Sequence, residues 1–266
     1  MRARKSSNPI LNIVNQRKLL FNTVKSDVKV QYAGTVLGVG WVVVGPILLL
    51  SLYSMIYAVI FRVRIPNFTV EEYILNVFSG LVPFLAFAQA LSFSASSVRR
   101  DRKLFFSNFP VEFIPIKAVA VSYVMLLIGT VIVILGDFVA SEPSWTLLLV
   151  PVVAVFQFVF SVGIGMYLSL LALAVKDIEI LIQYIVIALL VVTPIAYTPD
   201  MIPEGMKPLL YANPLFYFVY ANQHLILLNK LPPVEIWAVG MFVSVIAFVS
   251  GLWFFSRARK VVNDLM

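Results

Sequence analysis

The sequence predicts an all-α, polytopic membrane protein with six transmembrane helices. Of its 266 residues, 61% are hydrophobic and 12% are charged, about half the charged fraction of soluble domains. Charge-free apolar runs of about 20 residues, long enough to cross a bilayer as a helix, recur along the chain. None of these runs alternates as barrel strands do, so helices are the structure that satisfies their backbone groups in lipid.

The first apolar run contains no charged residue between Lys29 and Arg62. It predicts a span at about residues 37–61. Later uncharged runs, separated by charged or proline-containing turns, predict spans at about 73–98, 118–136, 146–175, 180–199 and 236–256. Together these spans form a single transmembrane domain over residues 1–266.

The segment before the first span, residues 1–36, is basic and amphipathic. Asn8-Pro9 is typical of a helix start, with Asn as the cap and Pro at the first position. Apolar residues then recur at three- and four-residue steps, with polar residues opposite, which predicts a cytoplasmic helix lying in the membrane interface. These apolar residues are Ile10, Ile13, Val14, Leu20, Phe21, Val24 and Val28. The alternative is a plain basic tail that only orients the chain.

The region 200–235 contains five prolines, yet it is apolar and aromatic. It is too interrupted to cross the membrane once as a straight helix. We predict short helices that enter the membrane and return, or that lie on its surface, because broken backbone at that depth needs surrounding protein or water. We expect this region to cap the bundle on the extracytoplasmic side.

The distribution of basic residues predicts the orientation. An even number of spans places both termini on one side, and sixteen of the 20 Lys and Arg residues fall on that side. By the positive-inside rule both termini are cytoplasmic. The net charge of +7 is therefore attributed to membrane orientation, and no nucleic-acid partner is expected.

Several chemistries have no counterpart in the sequence. There is no GxxxxGK[ST] loop for ATP, and no span contains the ionisable residue that an ion-coupled transporter usually needs. His224 is the single histidine and cysteine is absent, so we expect no metal site, no cofactor and no catalytic residues in this chain. Energy, if the protein uses it, must then come from elsewhere.

Four motifs resemble those of the permease subunits of polysaccharide-exporting ABC transporters. Asp27 to Gly38, DVKVQYAGTVLG, followed by Trp41 and Pro46, resembles the start of these permeases. The later matches are Gly80-Leu81-Val82-Pro83, Asn108-Phe109-Pro110, and Thr193-Pro194-Ile195-Ala196-Tyr197 with Asn213-Pro214. Two positions depart from the family pattern, since Lys176-Asp177 replaces the common Arg-Asp and Thr193 replaces the usual Ser.

The resemblance implies a type-2 ABC exporter permease fold and a homodimer of six-span subunits. It also implies two copies of a separate ATPase, which would bind ATP and Mg²⁺, and a location in the bacterial inner membrane. The family exports O-antigen, capsule or teichoic acid chains, so the expected substrate is a lipid-linked polysaccharide. Two alternatives stay open: an ABC permease for drugs or lipids, and a membrane-embedded enzyme acting on lipid-linked sugars.

Aromatic residues are candidates for the substrate path, because the C–H faces of sugars stack on aromatic rings. Tyr53, Tyr57 and Phe61 are spaced four residues apart and share one helix face. With them we group three further aromatic residues, Trp41, Tyr184 and Tyr197. The competing interpretation is ordinary lipid-facing or core packing.

Two further groups complete the candidate sites. We expect the ATPase to dock on the loop after the second span and on the turn before the fifth: Arg99, Arg100, Arg102, Lys103, Asn108, Phe109, Pro110, Lys176, Asp177 and Glu179. The basic cluster would equally suit anionic lipid. Four basic residues near the N-terminal helix are candidates for binding the lipid-linked pyrophosphate where the substrate enters: Arg2, Arg4, Lys18 and Lys25.

Overall fold

A computed structural model describes residues 17–56, 69–102, 109–140 and 143–265. Every regular element in these ranges is helical, which confirms the predicted all-α class. The α-helices are α1 (Arg17–Gln31), α2 (Trp41–Ser54), α3 (Val70–Arg100), α4 (Phe113–Ala140), α5 (Val150–Ala174), α6 (Asp177–Val192), α7 (Lys207–Ala212), α8 (Pro214–Ile226) and α9 (Val234–Leu265). Short 3₁₀ turns lie at Gly38–Gly40, Trp145–Leu149, Pro199–Met201 and Glu204–Met206.

Four of the described helices, α3, α4, α5 and α9, are long and apolar enough to cross a membrane. They cover the second, third, fourth and sixth apolar runs. In the first run, α2 has 14 residues, and the run continues into residues outside the described ranges. Helix α6 has 16 residues and ends before the expected boundary of the fifth span at residue 199.

The early end of α6 has a local cause. The residue before a proline is pushed out of the helical region of backbone space. Thr193 precedes Pro194 and has extended backbone angles, φ −80° and ψ 126°. The helix therefore stops at Val192, seven residues before the predicted boundary at residue 199.

Helix α3 forms the centre of the bundle. A capping box fixes its start: the Thr69 hydroxyl accepts the Glu72 N–H at 3.2 Å, and the Glu72 carboxylate accepts the Thr69 N–H at 2.7 Å. The helix is buried over most of its length and packs against α4, α5, α6 and α8. Arg99 and Arg100 lie in its last turn, where the helix dipole favours positive charge.

Small residues bring the other helices close together. A Cβ on Gly165 of α5 would lie 2.6 Å from the Ser94 hydroxyl of α3, and a Cβ on Gly129 of α4 would lie 2.8 Å from Val82. Such contacts are typical of membrane helices, which associate through close packing rather than the hydrophobic effect.

The bundle has two ends that differ in chemistry. We call the end that gathers Arg99, Lys117 and the α5–α6 turn the basic end. Helix α1 lies there against α4, and its buried residue Val28 packs with Val42 and Val121. The start of α3, the start of α5 and the end of α8 lie at the opposite end.

Helices α7 and α8 form a hairpin, residues 207–226, that enters the bundle from the opposite end. A helix rises about 1.5 Å per residue, so α6 reaches about 24 Å from the basic end while α5 reaches about 38 Å. At the tip of the hairpin, Asn213 donates from Nδ2 to the Thr193 hydroxyl at 2.8 Å, just after the end of α6. Helix α8 then runs back toward the opposite end of the bundle. There the Leu225 carbonyl accepts a hydrogen bond from the Thr146 hydroxyl at 2.7 Å.

Candidate functional site

The basic end of the bundle holds a cluster of ion pairs, which we call the basic-end cluster: Asp27, Arg99, Arg100, Asp101, Lys117 and Glu179. At its centre, Lys117 of α4 has a side chain that is 2% exposed. Its ammonium nitrogen lies 2.8 Å from a carboxylate oxygen of Asp27 and 2.7 Å from one of Asp101. A single buried lysine thus connects α1, the end of α3 and the start of α4.

A second contact of the cluster involves Arg99. Its guanidinium lies 3.0 Å from the Glu179 carboxylate in the first turn of α6. It also donates to the Ala172 carbonyl near the end of α5 at 2.7 Å. Arg99 and Glu179, both predicted to dock the ATPase, therefore contact each other and tie the end of α3 to the α5–α6 turn.

The other predicted docking residues differ in exposure. Arg102, Lys176 and Asp177 are exposed. Arg100 is 42% exposed and lies over the Phe93 ring, 5.6 Å from its centroid. Phe109 is buried and packs edge-on against Phe113, whereas Pro110 is half-buried; Lys103 and Asn108 lie outside the described residues.

Helix α1 presents basic residues on its outer surface. Lys18 and Lys25 are exposed, and so is the apolar Phe21 at 68%. Arg2 and Arg4 lie outside the described residues. Just after the helix, Tyr32 packs against the Val28 cluster, and burial raises the pKa of its hydroxyl.

The described residues of the predicted aromatic path are distributed over α2, α6 and the segment that follows α6. Tyr53 of α2 is partly buried and meets Phe78 of α3 edge-on, with ring centroids 6.5 Å apart. Tyr184 of α6 is 67% exposed. The Tyr197 hydroxyl donates to the Val191 and Val192 carbonyls, both at 2.9 Å.

Trp41 is half-buried at the start of α2, and Tyr57 and Phe61 lie outside the described residues. An apolar recess between α2, α3 and α4, bounded by Pro46, Phe78 and Gly129, encloses about 10 Å³. That volume admits about one water molecule. This recess has no room for a sugar. In the described part of one chain, it therefore does not form a channel along these aromatic residues.

At the end of the bundle opposite to the basic end, Gln223 holds the α7–α8 hairpin in place. Its amide nitrogen donates to the Ile195 carbonyl at 3.1 Å and also lies 3.4 Å from the carbonyl oxygens of Asn76 and Pro194. Helix α3 meets it at Gly80, where a Cβ would lie 2.9 Å from Val219 and 3.0 Å from the Gln223 nitrogen. Gly80 therefore lets α8 approach α3 closely.

Pro83 belongs to the same sequence motif as Gly80 and contacts another helix. The Pro83 carbonyl accepts a hydrogen bond from Gln157 of α5 at 2.7 Å. This one motif therefore brings both α8 and α5 against α3.

The single histidine, His224, stacks on Tyr220, with ring centroids 3.9 Å apart. In the described part of the chain, no group of three or more His, Cys, Asp or Glu residues is arranged to hold a metal ion.

Comparison with known proteins decides the family. The sequence profile described as ABC-2 type transporter matches residues 19–227, more than half of the chain. The chain belongs to the ABC-2 type transporter family. A Klebsiella pneumoniae protein named O-antigen export system permease protein RfbA is 28% identical over 251 residues, which is 93% of this chain and 95% of that protein. A Myxococcus xanthus protein of the same name is 24% identical over 261 residues, 96% of this chain and 98% of that protein.

The resemblance inferred from the four motifs is thus confirmed, and this ABC-2 type transporter chain is a transporter membrane subunit. The family match extends from α1 through α8 and so includes both the basic-end cluster and the α7–α8 hairpin.

The sequence analysis of this ABC-2 type transporter chain did not identify four residues that connect helices at one end of the bundle or the other. They are Asp27, Asp101 and Lys117 at the basic end and Gln223 at the opposite end. Asp27 appears in the sequence analysis only as part of a motif, and Lys117 directly precedes the span predicted at 118–136. The signal for Lys117 was its position at the start of a span, where a lone base is either exposed at the surface or paired. For Gln223 the sequence offers no signal beyond a polar residue among apolar ones.

Proposed function

We propose that this chain is the membrane subunit of an ATP-driven exporter that moves a lipid-linked polysaccharide of the O-antigen type out of the cytoplasm. The observation that carries the proposal is full-length similarity to two proteins named O-antigen export permeases, over 93% and 96% of this chain. Similarity over nearly the whole length, rather than over one motif, favours the same kind of substrate.

The proposal includes a separate ATPase subunit in two copies, which supplies ATP and Mg²⁺ chemistry. The exposed part of the basic end fits such a partner. Arg100, Arg102, Lys176 and Asp177 lie on one end of the bundle and are accessible. Arg99 and Glu179 support this surface from within, because their ion pair fixes the α3 end against the α5–α6 turn. Phe109, Pro110, Lys103 and Asn108 complete the proposed docking segment.

A homodimer would form the substrate path between two copies of the chain. Helix α6 supports this arrangement, since Ile182 alone is buried in it, whereas Ile180, Tyr184 and Val191 are 58%, 67% and 70% exposed. An aromatic residue on such a face offers a sliding surface for sugars. The proposed path consists of Trp41, Tyr53, Tyr57, Phe61, Tyr184 and Tyr197.

The topology proposed here has six spans in the bacterial inner membrane, with both termini cytoplasmic. Helices α2 and α6 would provide the first and fifth crossings, together with the chain that continues each of them. The basic end is then cytoplasmic, and residues 200–235 form the extracytoplasmic gate. The proposed contacts for the lipid-linked pyrophosphate are Arg2, Arg4, Lys18 and Lys25 near the cytoplasmic membrane interface.

Deletion of the gene tests the substrate. The expected result is polymer that accumulates inside the cell and is absent from the surface, with surface polymer restored by the plasmid-borne chain. A second arm purifies the tagged chain and looks for a co-purifying ATPase. Normal surface polymer with increased drug sensitivity would instead favour a drug-exporting permease, and sugar-transfer activity of the purified chain without ATP would favour an enzyme.

A further inference from the structure

The exposed side of α9 changes its chemistry along the helix. Helix α9 packs on α5 and α8, and four large apolar residues on its exposed side are between 50% and 64% exposed: Phe242, Val245, Val249 and Trp253. These residues are three or four apart, so they follow one another along a single face. Arg257 is exposed and continues that face by one more turn. We call these five residues the α9 outer face.

The charge-free part of α9 has the length of a membrane crossing. Glu235 and Arg257 are the charged residues on either side of the run 236–256. At about 1.5 Å per residue they lie about 33 Å apart along the helix, close to the roughly 30 Å of a hydrocarbon core. Arg257 is therefore expected at the level where acyl chains meet lipid headgroups.

Packing against α5 places that level at the basic end of the bundle. Gly163 of α5 lies against Gly251 of α9. Further along both helices, Tyr167 stacks on Phe254, so α5 and α9 run in the same direction. Counting on along both helices puts Arg257 roughly one turn before the end of α5. Under the proposed topology, this is the cytoplasmic leaflet.

Arg257 is held by an aromatic ring rather than by a carboxylate. Its guanidinium carbon lies 5.0 Å from the centroid of the Trp253 ring, a distance at which a cation is attracted to a ring face. Among the described residues, Arg99, Arg100 and Lys117 form ion pairs with protein carboxylates, and no such pair includes Arg257. The N–H donors of Arg257 are therefore available to an anion from outside the chain.

The depth and chemistry of this pair fit an anionic phospholipid. A tryptophan ring favours the boundary between acyl chains and headgroups, and a guanidinium binds a phosphate through two parallel N–H bonds. A lipid whose acyl chains lie along the α9 outer face would bring its phosphate to Arg257, one turn beyond Trp253. Phosphatidylglycerol has no cation that offsets its phosphate, whereas phosphatidylcholine has one. Arg257 should therefore prefer phosphatidylglycerol.

We propose that Trp253 and Arg257 form a binding site for an anionic phospholipid in the leaflet at the basic end. Arg257 binds the lipid phosphate, and Trp253 holds the guanidinium in place and contacts the upper part of the acyl chains. The site lies on α9 rather than on α6, so it is separate from the proposed substrate path. It depends on the proposed membrane topology but not on the polymer or the ATPase, so the purified chain suffices to test it.

The first experiment uses Trp253 as the reporter of its own lipid neighbours. Replacing the other three tryptophans, Trp41, Trp145 and Trp237, with phenylalanine leaves Trp253 alone. The chain is reconstituted in phosphatidylcholine vesicles that contain a fraction of brominated lipid, whose bromine atoms quench a neighbouring indole. Half-maximal quenching should need about fivefold less brominated phosphatidylglycerol than brominated phosphatidylcholine, because one basic residue at an anionic surface contributes about that factor.

The matched control keeps Trp237 and replaces Trp253 instead. Trp237 lies near the other end of α9 and should be quenched equally by the two brominated lipids. Equal quenching of Trp253 by the two lipids would overturn the proposed site.

The second experiment tests which residue creates the preference. Arg257→Gln should abolish the fivefold difference at Trp253, whereas Arg257→Lys keeps the charge and should retain part of it. Lys230→Gln is the control, because Lys230 is exposed at the opposite end of the bundle and its loss changes the net charge equally. Arg257 is itself exposed, so all three variants should elute as the parent protein does. Loss of the preference in both Gln variants alike would show a dependence on net charge and would overturn the site.

Two further measurements distinguish a lipid from other anionic partners. Inorganic phosphate added to the vesicles should leave the quenching by brominated phosphatidylglycerol unchanged, and its displacement of the lipid would show a site for a free anion instead. If Arg257→Gln lowers ATPase co-purification but not the lipid preference, Arg257 serves the ATPase and the lipid site is wrong. A chain that shows the lipid preference but exports no polymer would contradict the proposed function and leave this site standing.

Discussion

Gly163 of α5 and Gly251 of α9 lie where the two helix backbones touch: a Cβ atom on Gly251 would be 2.4 Å from the Gly163 carbonyl oxygen. In the other direction, a Cβ on Gly163 would lie 2.3 Å from the Ala247 carbonyl carbon. The obstructing atoms belong to backbone, which no side-chain rotation can move. Any side chain here must therefore separate α5 from α9.

This crossing predicts a large cost for the smallest possible substitution. Gly163→Ala should destabilise the chain by about 2 kcal/mol, because an inserted methyl group forces the helices apart. The measurement is the temperature at which the monodisperse peak on size-exclusion chromatography is lost. Gly45→Ala in α2 is the matched control, since a Cβ there meets nothing within 4 Å; equal behaviour of the two variants would contradict the close crossing.

Gln223 predicts a second effect, at the α7–α8 hairpin. Gln223→Leu keeps the side-chain volume but removes the donor to the Ile195 carbonyl and its neighbours. We expect a loss of about 1–3 kcal/mol, because buried carbonyl groups lose their partner, and a raised ion leak in a conductance assay of reconstituted protein. Asn222→Ala is the control, because Asn222 donates to Phe218 within its own helix. A leak caused equally by both variants would exclude a specific role for Gln223.

The basic end predicts a separation between stability and partner binding. Arg99→Ala removes contacts to Glu179 and to the Ala172 carbonyl, so it should lower the thermal stability of the chain itself. Arg100→Ala with Arg102→Ala changes exposed side chains, and surface changes usually stay within about 0.5 kcal/mol. That double variant should instead reduce ATPase co-purification. Its full retention of the ATPase would show that these arginines serve another purpose, such as binding anionic lipid.

Tyr184 predicts an effect on transport without an effect on stability. Its ring is 67% exposed on α6, so Tyr184→Ala should change stability by less than about 0.5 kcal/mol. If α6 lines the path, surface polymer should fall severalfold while the level of the chain in membranes stays constant. Phe242→Ala on α9 removes another aromatic residue that is 64% exposed and serves as the control. Equal export by the two variants would place Tyr184 outside the path.

Much of the fold follows from hydropathy alone. A helix in lipid must be apolar along its length, and therefore four charge-free runs predict the positions of the helices α3, α4, α5 and α9, although α9 continues past the predicted end at residue 256 to Leu265. The resemblance to a permease family was also predictable, because it rests on short motifs that can be read directly from the sequence. Proline spacing pointed to the broken structure around the α7–α8 hairpin.

Contacts between distant residues were not predictable in this way. Lys117 bounds an apolar run, and nothing in the sequence says that it is buried between Asp27 and Asp101. The early end of α6 was missed for a different reason: an apolar run continues past Thr193, and hydropathy alone does not mark the point at which Pro194 stops the helix. The exposure of Tyr184 was likewise not predictable from the sequence, because apolar residues occur on every side of α6.

The short α6 also places polar groups inside the bundle. Its helix ends about 14 Å before the far end of α5, and the tip of the α7–α8 hairpin meets it there. Thr193 and Asn213 are both buried at this point and form a hydrogen bond with each other. A buried polar group without a partner is costly, so replacing either side chain alone would leave the other unsatisfied and loosen the hairpin from α6.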